Sequence, residues 1–228
     1  MNWEKIDSFF EKYKAGYFAI LTAIVGAVTI INATIVYHLG PRGPLTFTSH
    51  WISHLGAGPT AGIIFTIGLF ITGILALPFL IYLYRLMESV GEKHRIMRLA
   101  ALIASLVSIA GLFINAAWNM DYNGGTLHVT GSTTFFFAGL FMIIFYSLLM
   151  FLHPDIPWQQ AIFGLIIASV FAAFLISFLP VMATGADLMK LLTNTDPIAG
   201  TTRFLEWIVF FAIIAWFLEM GLYTLKNA

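Results

Sequence analysis

GYFAILTAIVGAVTIINATIVY, the stretch from Gly16 to Tyr37, contains no charged residue, and Asn32 is its only strongly polar member. An apolar run of about 20 residues is long enough to cross the hydrocarbon core of a bilayer as a helix. Working outward, the pattern repeats at Thr60–Tyr84, Leu99–Trp118, His128–Phe151, Gln160–Leu179 and Phe204–Leu222. The expected fold class is therefore all-α, a polytopic membrane protein built as a bundle of six transmembrane helices. Barrel strands would show alternating segments of roughly 10 residues instead. Gly62, Gly68 and Gly73 permit close helix approach in the second span, and Pro78 should kink it.

Composition agrees. Of 228 residues, 60% are hydrophobic and 10% charged, against about 25% charged in soluble domains. The net charge of zero leaves no footprint for nucleic acid. Cysteine is absent, which excludes disulfides, a thiol nucleophile and cysteine-type zinc sites. Upstream of the first span, Trp3, Ile6, Phe9, Phe10 and Tyr13 recur at helical spacing among Glu4, Lys5, Asp7, Glu11, Lys12 and Lys14. Met1 to Ala15 therefore reads as an amphipathic helix lying in the membrane interface. It is not a signal peptide, because the apolar run that follows is too long. Residues 16–228 form a single transmembrane domain without internal repeats.

Positive charges set the expected orientation. Lys5, Lys12, Lys14, Arg85, Lys93, Arg95, Arg98 and Lys226 fall on the side of the termini, and only Arg42, Lys190 and Arg203 on the other. Both termini are expected in the cytoplasm of a multi-pass protein of the cell membrane. Most unusual polar residues then collect at the outer end. The richest stretch is the loop Thr46-Phe-Thr-Ser-His50-Trp-Ile-Ser53-His54-Leu-Gly-Ala-Gly-Pro59. If helical, it would put His50 and His54 on one face. Ser53 and His54, as neighbours, would face apart and would not form a nucleophile–base pair.

Two other sites join the loop. His128 opens the fourth span, seven residues after Asp121, and Glu206 lies in the first turn of the sixth span beside Arg203. Ionisable groups within a membrane are costly and mark function. His50, His54, Asp121 and His128 carry the side chains of a zinc or similar divalent-metal site, with water as the attacking group. Ser53, His54, Asp121, His128 and Glu206 are the candidate catalytic residues, with Asn119, Arg203 and Trp207 as candidate substrate contacts. Each also has a structural reading: an Arg203–Glu206 helix cap, an interfacial His128, and a re-entrant loop anchored by Trp51. Glu219 is expected to pair with Arg85 or Arg98, and His94 and His153 to be solvated. The Phe135–Phe137 run and Phe171, Phe174 and Phe178 are expected to pack or face lipid. Asp187 to Leu192 could form helical turns on the interface.

Three motifs carry a resemblance. Ile52-Ser53-His54-Leu55-Gly56 with Pro59, then His128 with Gly131 and the phenylalanine run, then Glu206-Trp207, stand in the order of the six-span DRAM/Frag/Sfk-type superfamily. That group includes factors that remodel the lipid of GPI anchors. The chain looks most similar to a branch of small archaeal and bacterial six-span proteins. The resemblance implies a lipid-related role and a non-cytoplasmic site built from Ser53, His128 and Glu206.

Three functions follow as expectations. A lipid-directed hydrolase or transferase would use the polar residues as acid, base or metal ligands. A non-catalytic lipid- or sterol-binding protein would use them as a hydrogen-bonded plug. A transporter would need a polar pair at the midplane, for which Asn32 and Asn115 are the only candidates. Membrane lipids are the expected partners, and glycines in the second to fourth spans offer faces for a homo-oligomer.

Overall fold

The computed structural model describes residues 3–118, 125–183 and 199–227. Asn119, Asp121 and the Asp187–Leu192 segment lie outside them. The helices are α1 (Trp3–Lys12), α2 (Ala15–His38), α3 (Pro59–Leu86), α4 (Arg95–Ala117), α5 (Thr126–Leu152), α6 (Trp158–Ala183) and α7 (Gly200–Asn227). Six of them, α2 to α7, are long and apolar enough to cross a membrane, and no strand occurs among the described residues. The protein is a multi-pass membrane protein.

The α2 helix is inside-out relative to a soluble helix. On α2 the exposed stripe is Tyr17, Leu21, Ile24, Val28, Ile31 and Ile35, while Ala19, Ala23, Gly26 and Ala33 are buried. Lipid tails are as apolar as leucine, so large side chains gain little by turning inward and small ones let helices approach. Asn32 sits on the exposed side and donates to the Val28 carbonyl at 2.8 Å. Asn115 donates to Ser132 Oγ at 2.5 Å. The two asparagines form no midplane pair, which removes the residue argument for a transporter.

The helices close into a ring in sequence order. Each packs chiefly on its neighbours in the chain, and α7 returns to α2. At the closure, a Cβ on Gly16 would lie 2.6 Å from the Gly221 carbonyl oxygen, so the first turn of α2 and the last turns of α7 touch through backbone. Between α4 and α5, a Cβ on Gly111 would lie 2.5 Å from the Phe135 nitrogen, and one on Gly131 2.7 Å from the Asn115 nitrogen. Pro59 stands at the first position of α3, where its missing N–H costs nothing. α3 runs on through Pro78, and α6 through Pro180 to Ala183, past the expected end of the fifth span at Leu179.

At the end of the bundle that carries the termini, charge pairs differ from those expected. Arg85 bonds Asp7 of α1 at 2.7 Å and also pairs with Glu88, and Arg98 reaches Glu92 at 3.1 Å. Glu219 instead accepts a hydrogen bond from Gln160 Nε2 at 2.8 Å. His153 is buried rather than solvated. Its Nε2 meets Ser89 Oγ at 2.6 Å, and its Nδ1 accepts the Asp155 amide at 3.1 Å.

Candidate functional site

At the opposite end, the loop between α2 and α3 folds into the mouth of the ring. His38 Nδ1 accepts the Leu45 amide at 3.2 Å, closing the first bend. Ile52–Ala57 forms a 3-10 helix, and every one of its residues is buried. A Cβ on Gly62 would lie 2.5 Å from the Gly56 carbonyl, so glycine lets the loop rest on α3. Trp51, expected as an interfacial anchor, is buried: its ring packs edge-on against Phe178 and under the guanidinium of Arg203, 5.6 Å away.

α7 holds this plug in place. Glu206 Oε2 accepts the Ile52 amide at 2.7 Å, and Trp207 Nε1 donates to the His50 carbonyl at 2.9 Å. The Glu206-Trp207 pair thus fastens the loop on both sides of Trp51. Glu206 is more than a local cap on its own helix, since its carboxylate serves a backbone donor 154 positions earlier.

His50 and His54 approach each other edge to face, with ring centroids 5.5 Å apart. The spacing therefore brings the rings together although no α-helix spans them. Their hydrogen bonds decide their chemistry. His54 Nδ1 accepts the Trp51 amide at 3.0 Å. His50 Nδ1 accepts the Thr46 amide at 3.4 Å and contacts Ser49 Oγ at 2.7 Å. A neutral imidazole with Nδ1 as acceptor must carry its proton on Nε2, which leaves no lone pair there for a metal. Metal-bound histidines have the reverse arrangement, with the second nitrogen donating outward. Among the described residues no three His, Asp or Glu side chains come together as a ligand set. The expected zinc site of His50, His54, Asp121 and His128 does not fit the way His50 and His54 are held. Asp121 and the substrate candidate Asn119 are not among the described residues.

Burial pushes the His50 imidazole below its ordinary value, and the nearby positive charge of Arg203 acts in the same direction. The unfolded chain takes up this proton near pH 6.5, the folded one only at lower pH. The stability contributed by neutral His50 is therefore complete above about pH 6.5 and is lost as pH falls through the folded value. Thermal unfolding in detergent should give a lower Tm at about pH 5.5 than at about pH 7.5. The difference should shrink in His50→Gln; an equal pH response in the variant would assign the effect to another group.

His128 is the histidine with a lone pair to offer. It is 2% exposed, and its Nδ1 donates to the Trp118 carbonyl at 3.0 Å. A carbonyl can only accept, so in the neutral ring Nε2 is unprotonated. It lies 3.5 Å from Ser132 Oγ, one turn on in α5, which itself receives the Asn115 amide. The other amide atom of Asn115, its oxygen, is buried without a hydrogen-bond partner. Ser132 was legible as a neighbour of His128, because residues four apart share a helix face.

Ser53, His128, Ser132, Thr133 and Glu206 line one small chamber of about 40 Å³, walled by Trp51, Phe136, Phe174 and Phe178. Ser53 and Glu206 are each 4% exposed. The loop, α5 and α7 thus bring the hydroxyl, imidazole and carboxylate of three separate motifs to one place. His54 is turned to its own backbone, Arg203 lies over Trp51, and Trp207 fastens the loop; none of the three lines this chamber. Of the phenylalanines expected to pack or face lipid, Phe136, Phe174 and Phe178 line the chamber.

No curated protein and no solved structure matches the chain. No comparison places it in the DRAM/Frag/Sfk-type superfamily. The model of a family described as a protein of unknown function, DUF998, matches residues 24–223, a stretch that takes in Ser53, His128, Glu206 and all the chamber walls. The protein belongs to the DUF998 family.

Proposed function

We propose that this protein binds the polar head of a membrane amphiphile in the chamber between the α2–α3 loop, α5, α6 and α7, with the chamber on the outer side of the membrane and both termini in the cytoplasm. The observation that carries the reading is the chamber's lining. Its polar groups are one carboxylate, one imidazole and three hydroxyls, enclosed by four aromatic side chains. Pockets of this kind, largely apolar with a few convergent polar groups, are the usual form of small-molecule sites. The aromatic walls suit an aliphatic ligand entering from lipid.

The polar groups also select the head. Glu206 has a second carboxylate oxygen beside the one on Ile52, and His128 Nε2 is an acceptor. Among the described lining residues there is no Lys or Arg. Arg203, stacked over Trp51, does not line the chamber, so a phosphate would find no direct cationic partner in the lining, whereas a head that donates O–H or N–H bonds would be received. The ligand class is a neutral or amino amphiphile bearing hydroxyl groups, such as a monoacylglycerol. A second reading, hydrolysis or acyl transfer on the same ligand, is favoured by one feature: His128 Nε2 and the Ser53 hydroxyl belong to the same chamber. That reading needs no metal, and His128 would serve as the base.

The test is titration of 1-monooleoyl glycerol into detergent-purified protein, followed by the fluorescence of the six tryptophans, among them Trp51 in the chamber wall. Saturable binding, weakened about tenfold or more in His128→Ala, is the expected result. Release of oleate by the wild type, lost in Ser53→Ala, would establish the catalytic reading. Equal titration curves for wild type and His128→Ala would overturn the proposal.

A further inference from the structure

Ser132 is an exception among the hydroxyls of the spans. A serine or threonine inside a helix commonly bonds back to the carbonyl one turn earlier. Thr22, Thr72, Ser105, Thr130 and Thr224 do so, at 2.7 to 2.9 Å. Ser132 is held by side chains instead: Asn115 Nδ2 donates to its Oγ at 2.5 Å, and His128 Nε2 lies 3.5 Å away.

Three features aim this hydroxyl. Close packing of α4 on α5 brings Asn115 to it, since a Cβ on Gly131 would lie 2.7 Å from the Asn115 nitrogen. The amide donor occupies a lone pair of Oγ and so directs the hydroxyl proton elsewhere, and the unprotonated Nε2 of His128 is beside it. On the far side of the imidazole the Trp118 carbonyl accepts the Nδ1 proton at 3.0 Å, which fixes the tautomer and would stabilise an imidazolium. Hydroxyl, base and orienting acceptor stand in sequence, the arrangement of an activated nucleophile. A separation of 3.5 Å is the loose form such pairs take before substrate binds.

Position and size agree. Ser132 and His128 share one helix, so their separation does not depend on how the α2–α3 loop is seated. His128 is buried and Ser132 half-buried, so an entering group meets the hydroxyl first. Six residues separate Ser132 from Thr126 at the start of α5, a rise of about 9 Å. That depth is near the boundary of headgroup and hydrocarbon, where a glycerolipid carries its ester bonds. A chamber of about 40 Å³ has room for about three water-sized centres, enough for an ester group and too little for an acyl chain.

We propose that Ser132 is the nucleophile that takes the acyl group from a monoacylglycerol-type ester, with His128 as its base. The assignment rests on the catalytic reading above and names its nucleophile. Ser132 Oγ bonds to the ester carbonyl carbon while its proton passes to His128 Nε2 and the C=O π pair moves onto the carbonyl oxygen. Collapse expels the glycerol oxygen, which takes the proton from Nε2. Water then adds to the acyl carbon with His128 again as base, and collapse frees the fatty acid and returns the proton to Ser132. The Ser53 hydroxyl, on the loop side of the chamber, donates to the carbonyl oxygen while it is anionic.

The test treats detergent-purified wild type, Ser132→Ala and Ser53→Ala with an alkyl fluorophosphonate and locates the adduct by peptide mass. One adduct per chain, on Ser132, is expected in wild type and in Ser53→Ala, and none in Ser132→Ala. Release of oleate from 1-monooleoyl glycerol should be lost in Ser132→Ala and fall by about 100-fold in Ser53→Ala. The chain has no cysteine, so Ser132→Cys carries a single thiol, and adding His128→Gln should slow its alkylation by iodoacetamide by about tenfold or more. Equal alkylation rates, or an adduct on Ser53 in place of Ser132, would overturn the Ser132 assignment and leave the catalytic reading standing. Saturable binding of 1-monooleoyl glycerol with neither adduct nor release would overturn the assignment and the catalytic reading and leave head binding standing. Absence of binding, adduct and release would overturn all three.

Discussion

Glu206→Ala should lose about 3 kcal/mol of stability, the largest single effect of any polar substitution in the chamber. The Ile52 amide is buried and its acceptor is the Glu206 carboxylate, 2.7 Å away. Removing that acceptor orphans a buried donor, and it also opens a void beside Trp51. Only the Trp207–His50 bond would then be left of the two that fasten the loop to α7. Glu206→Gln keeps a carbonyl oxygen for the same amide and should cost less than about 1 kcal/mol. The check is thermal unfolding in detergent, read with protease sensitivity of the Thr46–Pro59 loop. A well-folded Glu206→Ala with an intact loop would show that the plug is held by other contacts.

A larger loss is expected from Gly111→Val on α4. Its Cβ would lie 2.5 Å from the Phe135 nitrogen and 2.8 Å from the Gly131 carbonyl, both backbone atoms. No rotamer relieves a clash with backbone, so α4 and α5 must separate. Overpacking of this kind costs about 3 kcal/mol or more. The separation would also break the Asn115–Ser132 bond and so displace His128. Monodisperse protein on size exclusion should fall sharply in yield, and what remains should lose ligand binding. Wild-type yield and Tm for Gly111→Val would contradict the close packing of these two helices.

The spans were legible because hydrocarbon demands a long apolar helix and little else has that pattern; Ala15–His38 departs from the expected Gly16–Tyr37 by one residue at each end. The three site motifs were legible for a related reason. Ser53, His128 and Glu206 are polar where the surroundings are not, and the fold brings all three to one chamber. The roles of His50 and His54 were not legible, because the type of a side chain does not say which nitrogen meets a backbone amide. Spacing suggested a metal, whereas the Nδ1 atoms of the two rings accept the Thr46 and Trp51 amides. Glu219 was misassigned because arginine is the obvious partner by charge, while Gln160 is the near one in space. The aromatic wall of the chamber depends on six helices closing into a ring, a relation among distant segments that no local pattern carries.

The most direct measurement is calorimetric titration of 1-monooleoyl glycerol and of its phosphate-headed counterpart, oleoyl lysophosphatidic acid, into wild type and Glu206→Gln. The account predicts saturable binding of the glycerol head by wild type, weak binding of the phosphate head, and a loss of about tenfold or more for the glycerol head in a variant whose Tm is nearly unchanged. Tighter binding of the phosphate head, or glycerol binding that is indifferent to Glu206, would contradict it.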